Sequence, residues 1–227
     1  MIRRIIALLV SLYFGYILYS FVYVHFPFGE RPLRGVAAHY VENGIKEEGA
    51  TNIVTSIVTL YRGFDTLGEV TVLFLAATGL GLILAGMKRE EEEKPEPTLI
   101  METVTKYLFP LVLLFGSYIF IHGHLTPGGG FPAGVVIATG YFMMFIAQRS
   151  FTPSEYLLSA TESFAGTLYV IVGLLGLALA FSFLDNVMPL GIPNRVFSAG
   201  IIPVIYIIIG FKVGSEMTGI LLHLKEA

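Results

Sequence analysis

Six long stretches of this chain are almost free of charged residues, and each is long enough to cross a lipid bilayer. A membrane helix needs about 20 mainly apolar residues to cross roughly 30 Å of hydrocarbon. The stretches cover residues 5–26, 66–87, 107–125, 131–147, 162–184 and 200–222. The sequence therefore predicts an all-α, polytopic integral membrane protein with about six transmembrane helices. The fourth stretch is short and follows a Gly/Pro-rich region, so a tilted or partly re-entrant element is an alternative there.

The composition excludes the other broad classes of protein. Of the 227 residues, 55% are hydrophobic and 14% are charged, whereas roughly 25% of an ordinary soluble domain is charged. The chain has no cysteine, so it offers no thiolate zinc ligand, iron–sulfur ligand or Cys nucleophile. It also lacks a Ser-based nucleophile motif, which disfavours a membrane-embedded enzyme. The net charge of −3 forms no basic face, so no nucleic-acid partner is expected.

The charged residues divide the chain into two pieces. Residues 88–97 read KREEEEKPEP, and a run of like charges with prolines stays solvated and extended. We therefore predict a linker over residues 89–97, between a two-helix hairpin with an external loop (1–88) and a four-helix piece (98–227). Within the external loop, residues 52–60 have apolar residues at a spacing that suits a short amphipathic helix on the membrane surface or against a partner.

The two ends of the chain are predicted to lie in the cytoplasm of a cell-membrane protein. With the N-terminus inside, the cytoplasmic segments carry more Lys and Arg than the opposite side, as the positive-inside rule requires. The first stretch is too long for a signal-peptide core and lacks a small-residue cleavage site, so we expect a retained helix.

One group of charged residues stands at the start of the second stretch. Asp65 and Glu69 are four residues apart and share one helix face, and Arg62 is close enough to neutralise one carboxylate. One interpretation is a helix start at the interface, with Asp65 or Thr66 as the cap and Glu69 completing a capping box. The other is a cation or proton relay at a junction between subunits.

A second group, HGHLTPGGGFPAG at residues 122–134, combines two histidines with a Gly/Pro-rich connection. The prolines and glycines favour a tight non-helical turn packed against neighbouring helices. A proton-titrating role for His122 or His124 is the alternative. No metal site is expected, because no third protein ligand lies nearby.

The last stretch contains Lys212 near its middle and Glu216 one turn later. A solitary Lys at mid-bilayer costs several kcal/mol, so we expect it to pair with Glu216, with Glu162 of the fifth stretch or with an acid of a partner protein. The result is either a buried structural ion pair or part of a hydrated ion or proton path. Gly210 and Gly214 on either side would allow another backbone to approach closely.

Two segments resemble signatures of a known family, the Mrp-type multisubunit cation/proton antiporters. RGFDTLGEVTVLF (62–74) resembles a signature near the C-terminus of their A-type subunit, and HGHLTPGGGFPAGVV (122–136) resembles the Gly-rich signature of their B-type subunit. The motif positions are Arg62, Gly63, Asp65, Glu69, His122, Gly128, Gly129, Gly130 and Phe131. The chain is thus similar to an A-type hairpin fused to a B-like subunit.

This resemblance implies a non-catalytic subunit of a Na⁺/H⁺ translocating membrane complex, with no cofactor of its own. Its partners would be A-, C-, D- and G-like membrane subunits, the lipid bilayer, Na⁺ and H⁺. The same module occurs in archaeal membrane-bound hydrogenases and sulfane reductases, and the fusion favours this redox-driven version. A stand-alone Mrp antiporter is the main alternative. An independent six-helix transporter would favour an internal repeat, and none is evident.

Overall fold

The computed structural model describes residues 2–25, 33–85 and 96–226. The chain divides into two compact units, residues 1–39 and 40–227. The helices of the described ranges are α1 (Ile2–His25), α2 (Val36–Glu48), α3 (Ile53–Ser56), a π-helical stretch (Ile57–Tyr61), α4 (Gly63–Ala85), α5 (Leu99–His122), α6 (Gly130–Ala147), α7 (Glu155–Leu179) and α8 (Ile202–Glu226).

Six of these helices, α1 and α4 to α8, are long and apolar enough to cross a membrane. The predicted all-α class and the six membrane-spanning helices are therefore confirmed. The fourth predicted span is one continuous helix of 18 residues, α6. The predicted linker at 89–97 lies largely outside the described residues, which resume at position 96, and it stays a prediction.

Two helices begin earlier in the chain than the membrane spans predicted within them. α5 begins at Leu99 rather than near 107, and α7 begins at Glu155 rather than near 162. Both helices have a hydroxyl N-cap: Met101 N–H donates to Thr98 and Leu157 N–H donates to Ser154. The apolar pattern marks only the part that suits hydrocarbon, whereas each helix continues into a polar first turn.

The predicted end of the fifth span, near 184, was too late. α7 ends at Leu179, and the apolar residues after it belong to a chain reversal instead. Asp185 organises this reversal, since its carboxylate accepts hydrogen bonds from Phe181 N–H and from the Ser182 hydroxyl. Leu184 is fully buried there at a positive φ of 64°, which explains how an apolar residue can lie inside the protein yet outside a helix.

The best-buried helix is α8, which packs against α4, α5, α6 and α7. Its contact with α6 is a close approach of backbones: a Cβ added to Gly134 would lie 2.8 Å from the backbone nitrogen of Gly214. The predicted role of Gly214 is therefore confirmed. Gly210 instead makes room for a ring, because a Cβ there would lie 2.7 Å from Phe120.

The predicted amphipathic helix at 52–60 forms as α3 and the π-helical stretch, and its hydroxyl-bearing side faces the protein. Thr55, Ser56 and Thr59 are buried, whereas Val54 is 60% exposed. On this inward side, Thr55 Oγ1 donates to Gly123 O at 2.7 Å. An apolar side therefore remains outside, where lipid or a partner can cover it.

Candidate functional site

Four polar residues are buried along α8, the helix at the centre of the larger unit: Lys212, Ser215, Glu216 and Thr218. The hydroxyl groups of Ser215 and Thr218 donate hydrogen bonds to carbonyl groups of their own helix, as is common in membrane helices. Lys212 and Glu216 instead carry charge about midway along a 25-residue helix. These two side chains define the candidate site.

Lys212 binds two carboxylates from two helices. Its Nζ lies 3.0 Å from Glu216 Oε2, one turn along α8, and 3.6 Å from Glu162 Oε1 on α7. The expected pairing partners within the chain are therefore both found. The ammonium also lies 5.3 Å from the ring centroid of Phe74 on α4, which adds a cation–π attraction.

The packing of α7 leaves room for the Lys212 side chain. A Cβ added to Gly166 would lie 3.4 Å from Lys212 Cδ and Cε, so the aliphatic stem passes over this glycine. Gly166 is one turn after Glu162 on the same helix, and residues four apart share a face. The ammonium is thus directed toward the Glu162 carboxylate by the shape of α7.

Exposure rises across the three charged side chains. The Glu216 side chain is fully buried, that of Lys212 is 8% exposed and that of Glu162 is 24% exposed. No donor in the described part of the chain reaches Glu216 Oε1. Two carboxyl groups therefore share one ammonium, and the innermost oxygen has an open acceptor position. An excess carboxyl group beside a buried cation is an arrangement that can hold or pass a proton.

The Gly-rich segment forms the predicted tight turn. Gly129 has a φ of 144°, and a Cβ on Gly130 would lie 2.6 Å from Tyr206 O. The turn therefore presses directly onto α8, and both positions require glycine. Gly128 packs against Ile119 O, 3.1 Å from its added Cβ, and the nearby Phe131 is 37% exposed.

The two histidines of this segment occupy different environments. His122 is partly exposed, stacks on Tyr118 with 4.4 Å between ring centroids and contacts Tyr118 O through Nδ1. His124 is fully buried, and its Nε2 lies 3.3 Å from Arg195 O. Burial lowers the pKa of His124, which favours the neutral ring near pH 7.

A network of hydrogen bonds connects this turn to α3 and α8, and sequence reasoning missed it. Asn52 Nδ2 donates to Gly123 O and to Thr126 O, and the Tyr206 hydroxyl donates to Thr55 Oγ1 at 2.9 Å. Asn before a short helical run is the signal that could have indicated a connecting residue. The network attaches the start of α3 to the turn and to α8.

Arg62, Asp65 and Glu69 lie on the exposed side of α4. Arg62 and Asp65 form an ion pair, with side chains 61% and 53% exposed. The capping interpretation was wrong, because α4 already begins at Gly63 and the Thr66 hydroxyl donates to Val58 O within the preceding stretch. Among the described residues, the ion pairs of Arg62 and of Lys212 share no partner. Within the described ranges, no three His, Asp or Glu side chains are arranged to hold a metal ion.

A family of domains related to the MnhB subunit of Na⁺/H⁺ antiporters matches residues 100–219. This range covers α5 to most of α8, including the Gly-rich turn and the Lys212 cluster. The chain belongs to the MnhB-related family. A second family, MbhE, which is named for the E-type subunit of MBH, matches residues 2–95.

Solved structures resemble this MnhB-related chain along its whole length. A chain of the membrane-bound sulfane sulfur reductase, an archaeal respiratory membrane complex, is 43% identical with a TM-score of 0.84. The match covers 99% of this chain and 98% of that one. A chain of the Mrp complex from Dietzia sp. DQ12-45-1b has the same fold, with a TM-score of 0.78 and 23% identity over 98% of this chain and 26% of that chain.

A curated relative of the MnhB-related chain is a probable A/B-type subunit of a K(+)/H(+) antiporter of Rhizobium meliloti (strain 1021). It is 29% identical over 143 residues, which cover 52% of this chain. The chain spans 14% of that relative's length. The predicted resemblance to the A-type and B-type subunits of Mrp antiporters is therefore confirmed, as is membership of the membrane antiporter subunits of this type.

Proposed function

We propose that this chain is a non-catalytic subunit of a Na⁺/H⁺ translocating complex, and that this complex is the ion-pumping part of a membrane-bound redox enzyme of the sulfane reductase type. The observation that carries the proposal is the match over nearly the full length of both chains to a component of such an enzyme. Family membership supports the antiporter-type role. No cofactor is assigned to this chain.

Within this role, Glu216, Lys212 and Glu162 form a proton relay from the interior to the edge of the helix cluster. Their order of increasing exposure gives the relay a direction, from the fully buried Glu216 through Lys212 to Glu162. A buried Lys can exchange its proton when burial and a nearby carboxylate balance its two forms. The open acceptor position at Glu216 Oε1 provides the inner end.

The exposed charges and apolar surfaces support docking to other membrane subunits. Asp65 and Glu69 are exposed near the start of α4, a helix that is long and apolar enough to span a membrane. The apolar side chains of α1 are exposed along the helix, with Tyr19 and Tyr23 stacked on one side. Charged groups in a membrane helix require partners. A-, C-, D- and G-like subunits would supply them, with lipid around the remainder and both termini in the cytoplasm.

Copurification followed by mass spectrometry separates this proposal from the alternative. Flavin and iron–sulfur subunits would indicate the redox complex. Antiporter subunits without them would indicate a stand-alone Mrp antiporter, which the similarity to an A/B-type antiporter subunit favours. A purified monomer that transports Na⁺ in liposomes would contradict both and indicate an independent transporter.

Substitutions at Lys212 test the relay in the assembled complex. Lys212→Met removes the charge, whereas Lys212→Arg keeps a charge that cannot be released. Lys106→Met is the control, since Lys106 makes the corresponding pair with Glu102 on an exposed surface, 2.8 Å apart. We expect both Lys212 variants to lose most Na⁺-coupled proton movement in liposomes, and the control to retain it. Full activity of Lys212→Arg would contradict a relay and leave a structural ion pair.

A further inference from the structure

A cavity of about 380 Å³ lies where α4 begins and α7 ends. Its walls come from the end of α2, the π-helical stretch, the first turn of α4 and the reversal after α7. The polar and charged side chains that line it are Glu48, Tyr61, Arg62, Asp65, Ser182 and Asp185. Three carboxylates and one guanidinium make its wall net acidic.

Glu48 lines this cavity and carries a buried carboxylate oxygen without a hydrogen-bond donor in the described part of the chain. The residue is 9% exposed, and no hydrogen-bond donor of the described residues reaches its Oε2. Buried carboxylate oxygens are normally hydrogen-bonded, because the loss of hydration is otherwise costly. A buried carboxylate group that lines a cavity and lacks a donor can therefore accept a cation or a proton.

The groups around Glu48 increase its attraction for positive charge. Burial, Asp185 and the neighbouring Glu47 raise the pKa of Glu48 to about 7. The cation of the lining, Arg62, already pairs with Asp65. Tyr61 donates its hydroxyl hydrogen to Glu47, which leaves Glu48 without that donor.

We propose that this cavity binds one small monovalent cation, and that Na⁺ and H⁺ compete there for the Glu48 carboxylate. Hard cations prefer oxygen ligands, and the Ser182 hydroxyl and water in the open cavity would complete the shell. Among the described residues, no three His, Asp or Glu side chains are placed to hold a metal ion together, so a bound cation would depend mainly on Glu48. Na⁺ binds only the ionised carboxylate, so its binding releases a proton.

This inference deepens the proposed function, on which it rests for the choice of Na⁺. Its test uses the resting complex, so it is independent of pumping. If the chain belongs to a complex of another kind but still shows Na⁺-dependent proton release at Glu48, only the proposed function is overturned. If the chain belongs to the predicted complex but shows no such release, only the proposed site is overturned.

The experiment measures protons released when NaCl is added to the purified complex in weak buffer, with a pH-indicator dye. Choline chloride serves as the ionic-strength control and KCl as the test of selectivity. Glu48→Gln removes the titrating group, and Glu42→Gln makes the same change at an exposed position of α2. We expect Na⁺-dependent release that is largest near pH 7 in the wild type, unchanged in Glu42→Gln and reduced in Glu48→Gln.

Release that is equal in wild type and Glu48→Gln would overturn the proposal, as would release that choline produces equally well. Two further variants keep the test decisive if Glu48→Gln fails to fold. Glu48→Asp retains the carboxylate and should retain the response. Asp185→Asn removes a repelling charge and should move the release maximum to lower pH. If Asp185→Asn leaves the maximum in place, the competing group is not Glu48.

Discussion

The Lys212 cluster and the Glu48 cavity each contain a buried carboxyl group with one unpaired oxygen, yet their surroundings are opposite in charge. Glu216 has an ammonium 3.0 Å away, supplied by its own helix. Glu48 has acidic neighbours and a cavity of about 380 Å³. The first site therefore carries its counter-ion within the protein, whereas the second must take one from outside or stay protonated.

The two sites illustrate two ways in which a membrane protein can stabilise a buried carboxyl group. A built-in cation fixes the charge and allows only a proton to move. An open acidic cavity can exchange one cation for another. The proposed Na⁺/H⁺ translocating role would use both, and the variants that follow test whether the two sites differ as described.

The largest effect is expected from breaking the Lys212 pair. Lys212→Met leaves two carboxylates without their counter-ion and should cost about 3–5 kcal/mol in stability, as for other buried pairs that lose one partner. The double variant Lys212→Met/Glu216→Leu should recover most of this loss, because both buried charges are then gone. Thermal unfolding in detergent measures both. Equal stability of the single and double variants would show that the pair is not coupled.

The next effect concerns the pH dependence contributed by Glu48. Because the pKa of Glu48 is raised from 4.5 to about 7 in the folded chain, the folded state binds the proton more tightly than the unfolded state. Its contribution is therefore fully present below about pH 4.5 and is lost as pH rises through about 7, a change of up to about 3 kcal/mol. Melting temperatures from about pH 4.5 to about pH 8 should fall less steeply in Glu48→Gln than in Glu42→Gln. Parallel slopes in the two variants would contradict the shift.

A smaller effect is expected from packing without any change of charge. Gly130→Ala would place a Cβ 2.6 Å from Tyr206 O, so α6 must move from α8 at a cost of about 1–3 kcal/mol. Gly68→Ala is the control, since nothing lies within 4 Å of its added Cβ. Unfolding in detergent should distinguish them, with Gly68→Ala neutral or stabilising. A neutral Gly130→Ala would mean that the turn is not pressed onto α8.

The smallest effect is expected at the exposed pair beside the cavity. Arg62→Gln should change stability by less than about 1 kcal/mol, because exposed ion pairs contribute little. Both side chains are more than half exposed. The same thermal measurement at low and high salt tests this, and salt should make little further difference in the variant. A loss as large as that of Lys212→Met would show that Arg62 is buried against another protein of the complex.

The sequence was sufficient for the features that depend on local pattern. Long apolar stretches predicted the six helices, because hydrocarbon requires internal hydrogen bonding of the backbone. The need of Lys212 for a counter-ion indicated Glu216, since residues four apart on a helix lie side by side. The proline and the glycines of 127–130 indicated a turn, because these residues favour backbone conformations that interrupt a helix.

Only the tertiary structure decided which distant groups share a site. Glu48 and Asp185 lie far apart in the chain, and no periodicity connects the end of α2 with the reversal after α7. The contact of Glu162 with Lys212 likewise depends on how α7 lies along α8. Some observed helix ends also differ from the ends of the predicted spans. Capping hydroxyl groups and the turn at Asp185 determine where these helices begin or end, and the apolar pattern does not reveal either. Local chemistry specified the helices of this chain, whereas helix packing determined which carboxylates acquire a cation and which remain open to one.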